Sequence, residues 1–281
     1  MVDINVTDHS FDLKKTSSYH LSIQASLDGF SFCILDQHTK KYLVFRHTPL
    51  VVGKPEFLAQ KIETIFEQDE LLNPAYQSVS MTYSTNKATL IPKEFAEPAT
   101  ASQLFGLTAN PNRTETLVTN NIPGFNDQLL FSCPQELLNV FNSKYTDFRF
   151  RHKSIPLLLT ALTQRNENRN TLIINFEKKY IRIIALKGSQ IYLYNSFYYK
   201  NESDVLYYTL NIYHQLQLKP ETDETLIGGY VASESGYIRQ LKKYLGIIRF
   251  LKPFPDYDYG TLFEQVQSHQ FVSLLNSYEC E

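Results

Sequence analysis

Leu21, Ile23, Ala25 and Leu27 alternate with Ser22, Gln24 and Ser26, the period of a strand with two unlike faces. Asp28-Gly29 supplies turn chemistry and residues 30–35 resume an extended pattern, which predicts a β-hairpin. A polar turn through Lys41 leads to a third strand at 42–45, and Leu58, Ile62, Ile65 and Phe66 then recur at helical spacing. Residues 79–83 and 88–91 read as short strands, 93–105 as a helix and 110–113 as a loop. Residues 129–133 form another strand, and Pro134 opens a helix with Leu137, Leu138 and Phe141 on one face. Residues 148–152 are extended and 155–163 form a strongly apolar helix.

The second half begins in the same way. Residues 171–176, 180–186 and 190–197 are three strands joined by turns at 177–179 and 187–189. The helix 202–216 carries Val205, Leu206, Thr209, Leu210, Ile212 and Tyr213 almost all round, which predicts cover on both sides. A strand at 225–227 ends in Gly228-Gly229. A helix over 235–245 follows, with Ile238, Leu241 and Leu245 inward and Gly246 as its cap, then a strand at 247–251 and a helix over 262–275. Three strands, a helix, further strand and helix thus occur twice, and the wholly polar run RNENRN at 165–170 separates the copies. The expectation is an α/β protein of two domains around a cleft, 1–165 and 166–281, with the last helix packing back on the first domain.

Composition narrows the function. With 43% hydrophobic and 20% charged residues among 281, the chain is neither disordered, collagenous nor coiled-coil. Its 27 Lys and Arg balance 29 Asp and Glu without a block of one sign, so there is no electrostatic footprint for nucleic acid or an anionic membrane. The polar segment 1–18 and the lack of any run of about eighteen apolar residues predict no membrane insertion and a cytoplasmic protein. Cys33, Cys133 and Cys280 make an odd count with no close pair, as expected of unmodified thiols in a reducing compartment. The histidines show no helical pair and no spacing with cysteines that would suggest zinc. Walker A, G-x-S-x-G and G-x-G-x-x-G motifs are absent, and Gly53-Lys54 lacks the flanking residues of a phosphate loop.

Three antiparallel strands followed by crossover helices, duplicated, resemble the actin-like ATPase architecture shared by actin, sugar kinases and heat-shock chaperone ATPases, a ribonuclease-H-like fold. Residues 129–208, with LLFSCPQELLNVF, TLIINFEKKYIRIIAL and IYLYNSF, are similar to the matching stretch of the actin-like pilus-assembly proteins. LIGGYVASESGYIRQLKKYLG, 226–246, resembles the adenosine motif of that superfamily. As a whole the chain is similar to the bacterial domain-of-unknown-function family 3822, which carries no activity to transfer. The resemblance implies ATP at Gly228-Gly229 and, on each hairpin, an Asp followed by glycine turns for Mg²⁺ and phosphate. Gln24 and Ser26 stand at those places in the first hairpin, Asn175 and Glu177 in the second. An amide cannot offset Mg²⁺ charge, and a Glu beside a triphosphate repels it.

The candidate nucleotide-binding residues are therefore Gly228, Gly229, Asp28, Gly29, Asn175 and Glu177, each with a plainer reading beside it. Asp28-Gly29 reads first as a hairpin turn; Gly228-Gly229 faces a base or lets the next helix pack. Lys178 and Lys179 read as a solvated turn, and the tyrosines between 192 and 213 as aromatic filling or a protein interface. The expected function is a non-catalytic actin-like scaffold that requires no cofactor and binds a protein partner. The alternative is an ATP-binding protein or phosphotransferase with rearranged acids, Asp28, Asp36 and Glu177. A nuclease of the related fold would need more acids than Asp28 and Asp36.

Overall fold

The first strand, β1 (Ile4–Thr7), comes from the segment read as merely polar: only Ile4 and Val6 are half-buried, and the strand lies at a sheet edge. The computed structural model describes residues 3–279, so Cys280 lies outside the described residues. The chain divides into two units. One runs to Pro156 and takes back Phe254–Val266 and the residues from Ser273 on; the other holds Leu157–Pro253 and Gln267–Val272.

In the first unit the predicted hairpin is β2 (Tyr19–Ser26) and β3 (Gly29–Asp36), followed by β4 (Lys41–Pro49), α1 (Leu58–Gln68) and β5 (Ser78–Tyr83). An insertion comes next: β6 (Ala88–Pro92), α2 (Pro98–Thr108), β7 (Glu115–Asn121) and β8 (Asp127–Pro134). Then come α3 (Gln135–Lys144) and β9 (Arg149–His152). The main sheet has the order β1-β4-β3-β2-β5-β9, and β6-β8-β7 form a sheet of their own. Leu21, Ile23, Phe30 and Phe32 pack against Leu58, Ile62 and Phe66 of α1 and Leu137 and Phe141 of α3. The helix expected over 93–105 is a short 3-10 turn, Lys93–Phe95, and then α2, because Pro98 lacks an N–H and can only stand in a first turn.

The helix α4 (Ser154–Gln164) passes from one unit to the other, and residues 165–170 lie between it and β10 (Thr171–Phe176). β11 (Tyr180–Lys187), β12 (Gln190–Tyr198), α5 (Glu202–Gln215), β13 (Glu224–Gly229), α6 (Gly236–Leu241) and β14 (Ile247–Phe250) complete the second unit. Its sheet reads β12-β11-β10-β13-β14. That order repeats β4-β3-β2-β5-β9 strand for strand, with the same antiparallel and parallel senses. Even the bulge recurs: the register slips between Ile34 and Leu35 and between Ala185 and Leu186, leaving Leu43 and Tyr192 as the extra residues.

Four expectations need correction. α5 is covered on one side only: Val205, Thr209, Ile212 and Tyr213 are buried, while Tyr207 is 65% exposed. It starts at an Asn201/Asp204 capping box and ends in a Schellman turn, with Gln217 at φ 53° and the Leu218 N–H donating to the Tyr213 carbonyl (2.8 Å). α6 stops at Leu241, and Gly246 is not its left-handed cap. Gly246 is needed because a Cβ there would lie 2.7 Å from the Glu221 carbonyl oxygen.

The helix expected over 262–275 is three short pieces, Leu262–Gln265, Ser268–Gln270 and Val272–Leu275. Tertiary bonds pull it apart. Gln267 Oε1 accepts from the Ser233 N–H and His269 Nε2 meets the Val231 carbonyl, both in the second unit. Asn276 Oδ1 accepts from the Phe254 N–H, Tyr42 OH donates to the Leu275 carbonyl and Ser277 Oγ meets Ser80 Oγ, all in the first.

Candidate functional site

The repeat makes the two hairpin turns comparable residue by residue. Ser26 pairs with Gly29 across the first, and Glu177 donates its N–H to the Tyr180 carbonyl across the second. Ser26 and Glu177 are therefore equivalent, as are Gln24 and Asn175, and Thr82 and Gly228 on the parallel neighbour. One row across the first sheet reads His47, Ser31, Gln24, Thr82, and the matching row of the second reads Ser196, Arg182, Asn175, Gly228.

In the first unit Ser26 closes the turn on itself. Its Oγ accepts from the N–H groups of Asp28 (3.2 Å) and Gly29 (3.1 Å) and donates to the Gly29 carbonyl (3.1 Å). Those amides are the donors a phosphate cradle would use. Leu27 and Asp28 are the loop residues and neither takes a positive φ, so the turn is not the glycine-requiring type. Gly29 is small for another reason: a Cβ there would lie 2.7 Å from His47 Cε1. His47 Nδ1 is 2.7 Å from Ser31 Oγ, and burial, with the charge of Lys153 adding to it, lowers the imidazole pKa to about 4. Asp36 Oδ1 accepts from the N–H groups of His38 and Thr39, which occupies it within its own turn.

In the second unit Asn175, Glu177, Gly228 and Gly229 come together. Asn175 pairs with Gly228 and Phe176 with Gly229. Asn175 Nδ2 donates to Glu177 Oε1 (2.8 Å), and both side chains are buried. Gly229 has φ +83°, and a Cβ on it would lie 2.2 Å from the Phe176 carbonyl oxygen. A Cβ on Gly228 would sit 3.2–3.3 Å from Asn175 Oδ1, Leu157 Cδ1 and Leu251 Cδ1. Close approach of this strand end to β10 therefore accounts for the paired glycines. Lys178 and Lys179 are exposed at the turn.

The residue that sequence reasoning passed over is Arg182. It is fully buried beside Asn175, its guanidinium 5.4 Å from the Tyr180 ring centre and 5.7 Å from that of Tyr194. Burial works against its charge, while Tyr194, Tyr180 and Glu177 favour it and raise its pKa. The signal was present: Arg182 is the lone charge inside the apolar run YIRIIAL. Both rows thus carry an amide, Gln24 in one and Asn175 in the other, and a basic side chain nearby. Among the described residues, no group of three or more His, Cys, Asp or Glu is placed to hold a metal.

Two halves of this strand order, with equivalent turns at equivalent strand ends, define a protein of the actin-like ATPase fold. A protein from Bacteroides thetaiotaomicron VPI-5482 with that fold and unknown function is similar over 86% of this chain and 93% of its own, at 25% identity and a TM-score of 0.76. The PilM-PilN type IV pilus biogenesis complex is similar over 93% of this chain and 98% of that one, at 13% identity and a TM-score of 0.59. The ethanolamine utilization protein EutJ from Carboxydothermus hydrogenoformans covers 92% and 88%, at 8% identity and 0.53. The chain itself belongs to the family described as protein of unknown function DUF3822, whose family model matches residues 8–248. No curated protein matches it.

Proposed function

We propose that this protein is a non-catalytic, actin-like scaffold that works by binding a protein partner. The observation that carries the reading is the second hairpin turn, where the buried Glu177 carboxylate, bonded to Asn175 and facing the charge of Arg182, stands at the glycine position of an ATPase turn. These residues do not fit a magnesium nucleotide. Asn175 and Gln24 bring no negative charge to the metal, Glu177 repels a phosphate, and Ser26 has taken the amides that would approach one. The rearranged acid set loses support from the same geometry, since Asp36 caps its own turn.

Partner binding is supported by one neighbour of similar fold, PilM, which is found in a complex with PilN. The buried free thiols Cys33 and Cys133 agree with work in the reducing cytoplasm. No helix among the described residues is long and apolar enough to cross a membrane.

A thermal-shift titration with ATP and ADP, with and without Mg²⁺, tests the reading. A nucleotide at a hundred times its dissociation constant would add about 2.7 kcal/mol of stability. The scaffold reading expects no shift at millimolar nucleotide. A magnesium-dependent rise would refute it and restore an ATP-binding function.

A further inference from the structure

The internal repeat exposes an asymmetry between the two sheets. β4 and β12 are equivalent third strands with equivalent bulges, yet β4 is covered by β1 whereas β12 is the terminal strand of its sheet among the described residues. β1 runs antiparallel to β4, pairing Ile4 with His47 and Thr7 with Val44, and the Asp8 N–H donates to the Leu43 carbonyl (2.7 Å). Every second residue from Leu43, Phe45 and His47 included, therefore turns its backbone toward β1. The repeat register places Tyr194 and Ser196 where Phe45 and His47 stand.

Those two residues turn outward as well. The Tyr199 N–H donates to the Lys179 carbonyl (3.2 Å), so the odd residues of this stretch bond to β11 and the even ones face away from it. On that side the Ser196 N–H donates to the neighbouring Asn195 Oδ1 (2.8 Å). The strand, QIYLYNSFY, has no charged side chain and no proline, the usual devices that keep an edge from pairing. Tyr192 and Tyr198, three residues either side of Asn195, are 52% and 63% exposed, and Asn195 is exposed too.

We propose that β12 pairs with β12 of a second copy of this chain, antiparallel and centred on Asn195, so that the second sheet gains from its twin the cover that β1 gives the first. A two-fold axis through one residue makes the pairing antiparallel, the sense seen between β1 and β4. It sets Tyr194 against Ser196 of the twin with both backbones facing the interface, and it brings Tyr192 to Tyr198. No like charges meet, because the strand has none. The pairing displaces the Asn195–Ser196 bond.

The axis residue makes the test specific, since a side chain at 195 meets its own copy. Sedimentation velocity of the full chain over a concentration series should show a monomer–dimer equilibrium. Asn195→Lys alone and Asn195→Glu alone should each weaken it about tenfold by setting like charges opposite each other, and an equimolar mixture of the two should recover it. In the non-hydrogen-bonded pair at the axis the Cα atoms would lie about 4.5 Å apart, within disulfide range. Asn195→Cys should then give a covalent dimer under mild oxidation, whereas Gln190→Cys, off the axis, should not. Wild-type protein that stays monomeric at a hundred micromolar, or lysine and glutamate variants that dimerise like wild type, would overturn the proposal.

Discussion

Replacing Glu177 by alanine probes the filled turn directly. The carboxylate is buried, accepts from Asn175 Nδ2 at 2.8 Å and favours the charged form of the buried Arg182. Alanine removes a negative charge that favours the buried guanidinium and leaves Asn175 Nδ2 without its acceptor, and taking one charge from buried, mutually favourable groups costs up to about 3–5 kcal/mol. Glu177→Gln keeps the volume and an acceptor for Asn175 while losing the charge, which sets its cost near 2 kcal/mol, the scale of one charged hydrogen bond. Urea denaturation at pH 7 reads both as a lower midpoint with an unchanged slope. The difference should survive 1 M salt, because buried pairs are weakly screened. An alanine variant within about 1 kcal/mol of wild type would refute the argument that the Glu177 carboxylate stabilises the filled turn through Asn175 and the charge of Arg182.

Three further outcomes follow from other contacts. Burial lowers the pKa of His20 to about 3 and that of His47 to about 4, below the unfolded value near 6.5, so the unfolded chain binds more protons in acid. The stability these residues give is complete above pH 6.5 and is lost as pH falls toward 4; between pH 7 and 5 the loss is about 3–4 kcal/mol, and equal urea midpoints at the two values would contradict it. Gly229→Ala combines a left-handed backbone with a Cβ 2.2 Å from a carbonyl oxygen and should cost about 3 kcal/mol or more, while Gly228→Ala, at 3.2–3.3 Å from its neighbours, should cost about 1; equal thermal shifts would deny the packing explanation. Gln217→Gly should stabilise the C-terminus of α5 by about 1 kcal/mol in a melting experiment, as Gln217 holds φ 53°.

The core strands were legible because their pattern is one that few other structures satisfy. β10 runs over the apolar stretch 171–176 that its flanking turns marked as a strand, and α1 follows the Leu58, Ile62, Phe66 stripe. β1 and β7 were not legible: INVT and ETLVTNN are short and half polar, and they become strands only because β4 and β8 offer edges. The last helix failed for the complementary reason. Its residues have helical propensity, but Gln267, His269 and Asn276 spend their polar groups on distant backbone. At the site, the equivalence of Gln24 and Asn175 could be read, since register follows from the hairpins alone. Arg182, and the His47 ring that explains Gly29, depend on which face of a buried strand meets which neighbour, and that is decided in three dimensions.

The return of residues 273–279 to the first unit bears on how the protein is made. Tyr42 bonds the Leu275 carbonyl, Ser80 meets Ser277 and the His20 ring lies 4.8 Å from that of Tyr278, so the floor of the first sheet is laid by residues translated after the whole second sheet. Ser277 is synthesised about 120 residues after Pro156, a delay on the order of ten seconds on a bacterial ribosome. During that interval Tyr42, Ser80 and His20 wait for residues 273–279, while the five strands of the second unit are made and can pair. A chaperone that shields that face, or faster translation of the intervening stretch, should raise the yield of folded protein without changing its final stability.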